Sequence, residues 1–463
     1  MIVEEVASPT TQRVDDLMRD LYSRSRGTLH QTLIADHAVA DAYRNVLDPG
    51  YPVSRRAVVR AAQITWQVLR RLLGRRYGAW AGGLLWTIIG APDLLRRSLK
   101  MHSDAYIRQG DSTASLVLLR TGVANEPLIA RWIEAREKEA VVMLQYNGNA
   151  ENRLRSLHKL PRLARVHACM CLSIIGEISR FAGEVKLSPP ALDALLPTWF
   201  VLLARQAISI SWNYVWAEGN LGSPSPKFLY FTMNYGNENA FRLALPDVAA
   251  AYVEHGFPRR DIPPLPCRQY VYSEGYADYL RSFDDRLHVD VIGLDYFSAG
   301  SIQPTKTIVV ASLQDWPQYK IERVSALFND ALAEARRAGW KLVFRSRQFD
   351  SESFANALRG SWNDVSRADE ETFLECLKRS RPAMVWTTWS TAVLDAAAQN
   401  VMPVAFITPD LHDYFVADLG SFAFVVNGEE SLQRLVDSLR QADEVEAKRK
   451  LEPRGRAGRR LVQ

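Results

Sequence analysis

The sequence predicts an α/β protein: two successive parallel sheets wrapped by helices, behind an N-terminal helical extension. Three observations lead there. Short apolar runs recur from residue 140 onward, each long enough for one buried strand. Segments at helical spacing alternate with them, the order that builds parallel sheets through helical crossovers. A polar stretch at 298–305, with Gly300 and Pro304, divides two such series.

Size and composition agree with this. The 463 residues exceed one ordinary core, so two or three domains are expected. With 47% apolar and 24% charged residues the chain has the make-up of a soluble globular protein. A formal net charge of +5 is only mildly basic, and no nucleic-acid partner is expected from it. Most of the positive charge is arginine, clustered at 55–76, 96–100 and 448–460. Cys169, Cys171, Cys267 and Cys376 are scattered, and the one-residue gap between Cys169 and Cys171 is neither a redox pair nor a zinc spacing. Buried thiols in a reducing, cytoplasmic compartment are the simple account. The first sixteen residues are polar and acidic, which argues against a secretory signal.

In chain order, 1–139 reads as a helical region. Residues 15–22 and 32–47 have mixed helical patterning, and Pro49-Gly50-Tyr51-Pro52 breaks the chain. Arg55 to Leu73 interleaves Val58, Ile64 and Val68 with arginines. The run from Tyr77 to Pro92 is apolar, holds Trp80 and Trp86, and is shorter than the ~20 residues a membrane crossing needs. Flanked by Arg75, Arg76, Arg96 and Arg97, it suits a peripheral contact, through 55–100, with the inner face of an anionic membrane. The alternative is a helix buried in an accessory domain with its arginines on the wet side.

Residues 140–300 form the first α/β domain. Ala140–Tyr146 is its first convincing strand, and Val166–Ile175 fits either a strand or a buried helix. Pro190–Ser209 is helical, Ile210–Trp216 is a strand candidate, and Lys227–Met233 is a clear strand. Gln269–Tyr272 and Val289–Gly293 are strands either side of a helix at Glu274–Phe283. Residues 301–445 form the second domain. It has about five strands, at Thr307–Ala311, Lys341–Phe344, Ala383–Trp386, Val404–Ile407 and Phe422–Val426. Helices at Tyr319–Ala338, Glu370–Arg379, Thr391–Gln399 and Glu430–Ala442 lie between and after them. The tail, 446–463, is basic. Each domain is thus expected to be Rossmann-like, with ligands beyond the carboxyl ends of its strands, in the cleft between the two.

The most informative stretch is Ala383 to Asp410: strand, hydroxyl-rich turn, helix, strand. Thr387, Thr388, Ser390 and Thr391 crowd hydroxyls where the turn opens a helix, a good anion site if the first N–H groups face the ligand. Equally, Ser390 or Thr391 caps the helix and nothing more. Asp395, one turn in, is within reach of a sugar hydroxyl. Arg345 and Arg347 follow another strand, where two guanidinium groups meet a diphosphate without a metal. In the first domain, His255 ends an apolar run and is a candidate base, and Gly256 lets a ligand come close. Glu238 and Asp261 are weaker acid/base candidates. Asp410, His412 and Asp413 have the look of a metal cluster but lack further ligands nearby, so no metal is expected.

These residues carry a resemblance. The chain from about 140 to 442 resembles the GT-B glycosyltransferases of bacterial capsule and surface-polysaccharide synthesis, a group that includes teichoic-acid polymerases and Kdo- and sialic-acid-type transferases. YVEHGFPRRD (Tyr252–Asp261) is similar to the family's "HG" segment. VYSEGYADYL and VDVIGLDYF resemble its passage into the linker, and VWTTWSTAVLDAAAQNVMPVAF (Val385–Phe406) resembles its "ST…EA…G.PV" donor signature. The resemblance implies that Ser390 and Thr391 hold donor phosphates. Asp395 stands where the family usually has Glu, on donor sugar or ribose hydroxyls. Arg345-Ser346-Arg347 stands where many relatives carry a basic residue and a His-Pro pair, and Asn400 replaces the usual glycine. The implied activity is metal-independent transfer of a sugar from a nucleotide-sugar to a glycan or lipid-linked acceptor, with no cofactor. A polyol-phosphate transferase, a nucleotide-sugar epimerase of the same fold, or a non-catalytic scaffold of a polysaccharide-synthesis complex are the alternatives.

Overall fold

The computed structural model describes residues 56–98, 106–108, 115–120, 126–137, 141–146, 160–184, 189–221, 225–232, 236–254, 264, 267–294, 302–311, 318–346, 356–358, 362–367, 370–388, 390–407, 419–441, 447 and 451. The helices expected at 15–22 and 32–47 lie outside these.

The first unit opens with helix α1 (Arg56–Ser98). It continues with strands β1 (Tyr106–Arg108) and β2 (Ser115–Arg120), α2 (Glu126–Glu137), β3 (Val141–Tyr146), α3 (Leu160–Glu184) and α4 (Pro189–Leu221). Strand β4 (Phe228–Phe231), α5 (Gly236–Ala244), β5 (Ala249–Val253), β6 (Arg268–Val271) and β7 (Val289–Val291) complete this series, and α6 (Glu274–Arg281), between β6 and β7 in the chain, belongs mostly to the second unit. Seven strands form one sheet in the order β1-β3-β2-β4-β5-β6-β7. Strand β1 is an antiparallel edge on β3, and β3, β2, β4, β5 and β6 run parallel. Numbered from β2, the parallel strands read 2-1-3-4-5, one of the two common doubly wound orders. Leu116, Leu229, Phe231, Phe241 and Trp216 pack one face of this sheet into a core.

Three expectations change here. Strands β1 and β2 and helix α2 precede residue 140, so the region read as helical supplies part of the first sheet. SLVLLR lies between β3 and β4 with Ser115, Leu116 and Val117 buried; a strand covered on both faces shows no alternation, so its period gives no sign. Val166–Ile175 resolves as helix, inside α3. Ile210–Trp216 is also helix, inside α4. Ile210, Ser211, Trp212, Asn213, Val215 and Trp216 are all buried, and a helix covered on most sides carries no amphipathic stripe. The buried-thiol expectation holds for Cys171 and Cys376, while Cys169 is exposed. Residues two apart on a helix face different ways. Burial pushes the Cys171 thiol up to about 12.

Helices α1, α3 and α4 pack together, and glycine sets how closely. A Cβ on Gly82 would stand 2.6 Å from the Phe200 ring, and one on Gly83 would stand 2.9 Å from Ile175. Trp66 meets Phe200 edge-on at 6.5 Å, Phe181 meets Trp199 at 5.2 Å, and Ser179 Oγ donates to the Arg76 carbonyl at 2.8 Å. One face of α1 is therefore buried, with Trp66, Ala79 and Trp86 inside.

The second unit holds β8 (Thr305–Ala311), α7 (Gln318–Arg337), β9 (Lys341–Ser346), β10 (Asp364–Arg367), α8 (Phe373–Ser380) and β11 (Pro382–Thr387). It ends with α9 (Ala392–Ala398), β12 (Met402–Phe406), β13 (Phe424–Val426) and α10 (Glu429–Leu439). Its six strands are all parallel, in the order β10-β9-β8-β11-β12-β13. Numbered from β8 this is 3-2-1-4-5-6, the order of dinucleotide-binding sheets. The expected five strands are present, and β10 is the addition. It exposes Val365 and buries only Ser366, so no apolar run marked it. Phe328, Trp386 and Phe406 form the aromatic centre, with Phe328 stacked on Phe406 at 3.8 Å and Trp386 5.4 Å from Phe406. Thr372 and Glu375 form a reciprocal capping box that starts α8.

Candidate functional site

In the second sheet β8 and β11 are neighbours, yet their connections leave in opposite directions. From β8 the chain crosses to β9 on one side; from β11 it crosses through α9 to β12 on the other. Diverging crossovers open a crevice at the carboxyl ends of the two strands, the place where doubly wound sheets hold ligands. Trp386 is in register with Val310, so the two strands end level, at Thr387 and Ala311. The hydroxyl-rich turn singled out in the sequence therefore falls at the switch point.

Thr387, Thr388 and Ser390 are buried, and Thr391 is half-buried. Ser390 Oγ accepts from the Ala392 N–H at 3.3 Å, and its carbonyl accepts from Val393 at 3.0 Å. The Thr391 carbonyl accepts from Leu394 at 2.9 Å and from Asp395 at 3.2 Å. The N–H groups of residues 392–395, expected to face a ligand, are thus each satisfied inside the turn. Ser390 acts as the local cap, and α9 is a helix of only 7 residues. Thr391 has helical backbone angles, is half-buried, and its side chain makes no capping bond. Asp395 sits in the first turn of α9, partly buried. Asn400, where the resembled family has glycine, takes φ 57; asparagine tolerates that left-handed region, so the turn into β12 is kept.

Arg345, at the end of β9, is 4% exposed. Its Nη1 donates to Ser366 Oγ at 3.0 Å and its Nη2 to the Glu371 carbonyl. Both terminal nitrogens are thereby committed to β10 and to the start of α8, while the buried Nε has no partner among the described residues. Arg379 extends this brace, donating to the Glu371 carboxylate at 2.8 and 3.2 Å and to Asp364 at 2.5 Å. Hydrogen bonds from Arg379 hold both carboxyls below the usual carboxylate range. With folded pKa values depressed, the unfolded chain takes up protons first as pH falls. The network's contribution is complete above the ordinary carboxylate pKa and lost as pH drops through the folded values. Arg379→Gln is expected to cost about 1 kcal/mol at neutral pH. Urea unfolding of both proteins at neutral and acid pH should show this difference closing below about pH 4. A pH-independent difference would show that the ion pairs are not its source.

In the first sheet Glu254 follows β5 and is buried. Tyr252 donates its hydroxyl to Glu254 Oε1 at 3.0 Å, and the Glu254 N–H donates to the Tyr270 carbonyl at 2.9 Å. Its signal in the sequence is a charged residue set directly after an apolar strand and before His255. Thr232, just past β4, is also buried. Glu238 lies in α5, with its side chain outside the described residues. His255, Gly256, Asp261 and Arg347 lie outside them too, as do Asp410, His412 and Asp413. Among the described residues no cluster of His, Cys, Asp and Glu is placed to hold a metal.

Fold and switch point together define an α/β protein with two Rossmann-like sheets and a helical N-terminal element, the class read from the sequence. No protein-family model matches this chain, and no curated protein matches it. Solved structures similar to it include UDP-N-acetylglucosamine 2-epimerase from Rickettsia bellii, at 9% identity over 76% of this chain and 95% of that one, TM-score 0.42. UDP-GlcNAc 2-epimerase from Methanocaldococcus jannaschii aligns at 11% over 76% and 98%, TM-score 0.42. The α,α-trehalose 6-phosphate synthase from Burkholderia multivorans aligns at 11% over 74% and 94%, TM-score 0.40.

Proposed function

We propose that this chain is a GT-B-type glycosyltransferase that moves a sugar from a nucleotide-sugar to a glycan or lipid-linked acceptor in bacterial surface-polysaccharide synthesis. The observation that supports it most is the 3-2-1-4-5-6 sheet with a hydroxyl-rich turn at its switch point. In this reading the donor diphosphate lies against Thr388, Ser390 and Thr391, with the Thr391 hydroxyl as a direct donor. Arg347 supplies the counter-charge as the nucleotide leaves, so no metal or other cofactor is required. Arg345 is a positioning residue that fixes the end of β9 from behind. Asp395 meets a hydroxyl of the donor sugar or ribose. His255 takes the acceptor proton, Gly256 admits the acceptor to the backbone, and Glu238, Glu254 and Asp261 are the carboxylates available to orient it.

A thermal-shift series with CMP, UDP, GDP, TDP and CDP, with and without magnesium, tests this. A ligand at a hundred times its Kd adds ~2.7 kcal/mol, a rise of a few degrees. One nucleotide should raise the melt without magnesium, and Thr391→Ala should weaken its binding about tenfold, the loss of one charge-assisted hydrogen bond. No shift with any nucleotide would sink the proposal.

A further inference from the structure

Helix α1 buries one face and bares another. It is a hairpin: Gly74 leaves the helical region at φ 76, ψ 179, and a Cβ on Gly78 would stand 3.0 Å from the Arg70 backbone. The chain therefore folds back on itself around Gly74. On the first arm Ile64, Val68 and Leu72 point outward at four-residue spacing. The second arm exposes Tyr77, Trp80 and Ile88. At the apex Leu72 is 74% and Tyr77 69% exposed. Nine of the eleven large apolar residues exposed among the described ones lie on this hairpin, so the feature is local to it. Exposed large apolar side chains concentrated on one element mark it as a candidate interaction site.

Charge says what it meets. Arg56–Ser98 holds eight arginines, no lysine and a single carboxylate, Asp93, a formal +7. The whole chain carries only +5, so the rest of it is net −2. Arg60, Arg71 and Arg76 are exposed among the bared apolar residues. A second copy of this chain is a poor occupant, because a two-fold contact would set the same arginines against each other. No described helix is long and apolar enough to cross a membrane. Aromatic and leucine side chains at an apex, collared by arginine, match the headgroup boundary of an anionic bilayer.

We propose that the α1 hairpin docks this protein, apex first, on an anionic lipid surface. Leu72, Leu73 and Tyr77 enter the acyl boundary, and the arginines meet headgroup phosphates. This stands apart from the sugar-transfer reading, since it rests on α1 alone.

The test is co-sedimentation of the full chain with vesicles of phosphatidylcholine alone and of phosphatidylcholine mixed with phosphatidylglycerol. Binding should occur on the anionic vesicles, weaken with added salt, and shift tryptophan emission to the blue, a shift reduced in Trp80→Phe. Leu72→Ser with Tyr77→Ser, and separately Arg60→Gln with Arg71→Gln, should each lower it about tenfold. These side chains are exposed, so the melting temperature serves as a control for folding. Absent binding, or equal binding to neutral vesicles that neither pair of substitutions alters, overturns the proposal. So does a change of oligomeric state, without lipid, in the Leu72/Tyr77 variant, which would assign the surface to a protein contact.

Discussion

Trp386→Ala should lower the stability of the second unit by about 3–5 kcal/mol, the range for removing a large buried ring. Trp386 is fully buried in the central strand β11, against Phe406 and Phe328. Alanine leaves a void that two aromatic neighbours on separate elements cannot close without moving β12 or α7. The same strand carries the turn at the switch point one residue later, so nucleotide binding should weaken together with stability. Trp386→Phe separates the effects. It keeps a ring and removes an indole N–H that has no partner among the described residues, so most of the stability should remain. Urea unfolding of both variants checks this. Equal losses would show that the polar edge of the indole, rather than ring volume, matters here.

Arg345→Ala is expected to cost about 2–4 kcal/mol. The change strips partners from the Ser366 hydroxyl and the Glu371 carbonyl, which the guanidinium joins across β9, β10 and the start of α8. Lysine at this position reaches one partner at a time, so Arg345→Lys should recover part of the loss. As a positioning residue, Arg345 should change melting in the absence of nucleotide as much as in its presence. A variant with unchanged melting but much weaker nucleotide binding would instead place Arg345 on the ligand.

Much of the second unit was legible because its strands are short, apolar and bounded by turn chemistry: Ala383–Trp386 and Val404–Ile407 fall within a residue or two of β11 and β12. What escaped did so for physical reasons. Strand β10 is a polar edge, paired with β9 and braced by Arg345 and Arg379, and partners far along the chain leave no local pattern. Strand β2 lies in mid-sheet and α4 is covered on most sides, and neither alternation nor a helical stripe survives burial of that extent. At the site, the sequence located the turn but not its bonding. Whether Ser390 offers its hydroxyl outward or folds it back to the Ala392 N–H depends on backbone geometry that residue types do not fix. Likewise Arg345 followed an apolar strand as a ligand arginine would, and its commitment to Ser366 became visible only with β10 in place.

The measurement that bears most directly on the central claim is hydrogen–deuterium exchange of the full chain, with and without the nucleotide that raises its melting temperature. A diphosphate at the switch point should slow exchange in the peptides covering 387–395 and the end of β9, leaving β12 and β13 unchanged. Nucleotide binding that protects only segments of the first sheet, or none of residues 387–395, would contradict the assignment of the donor site.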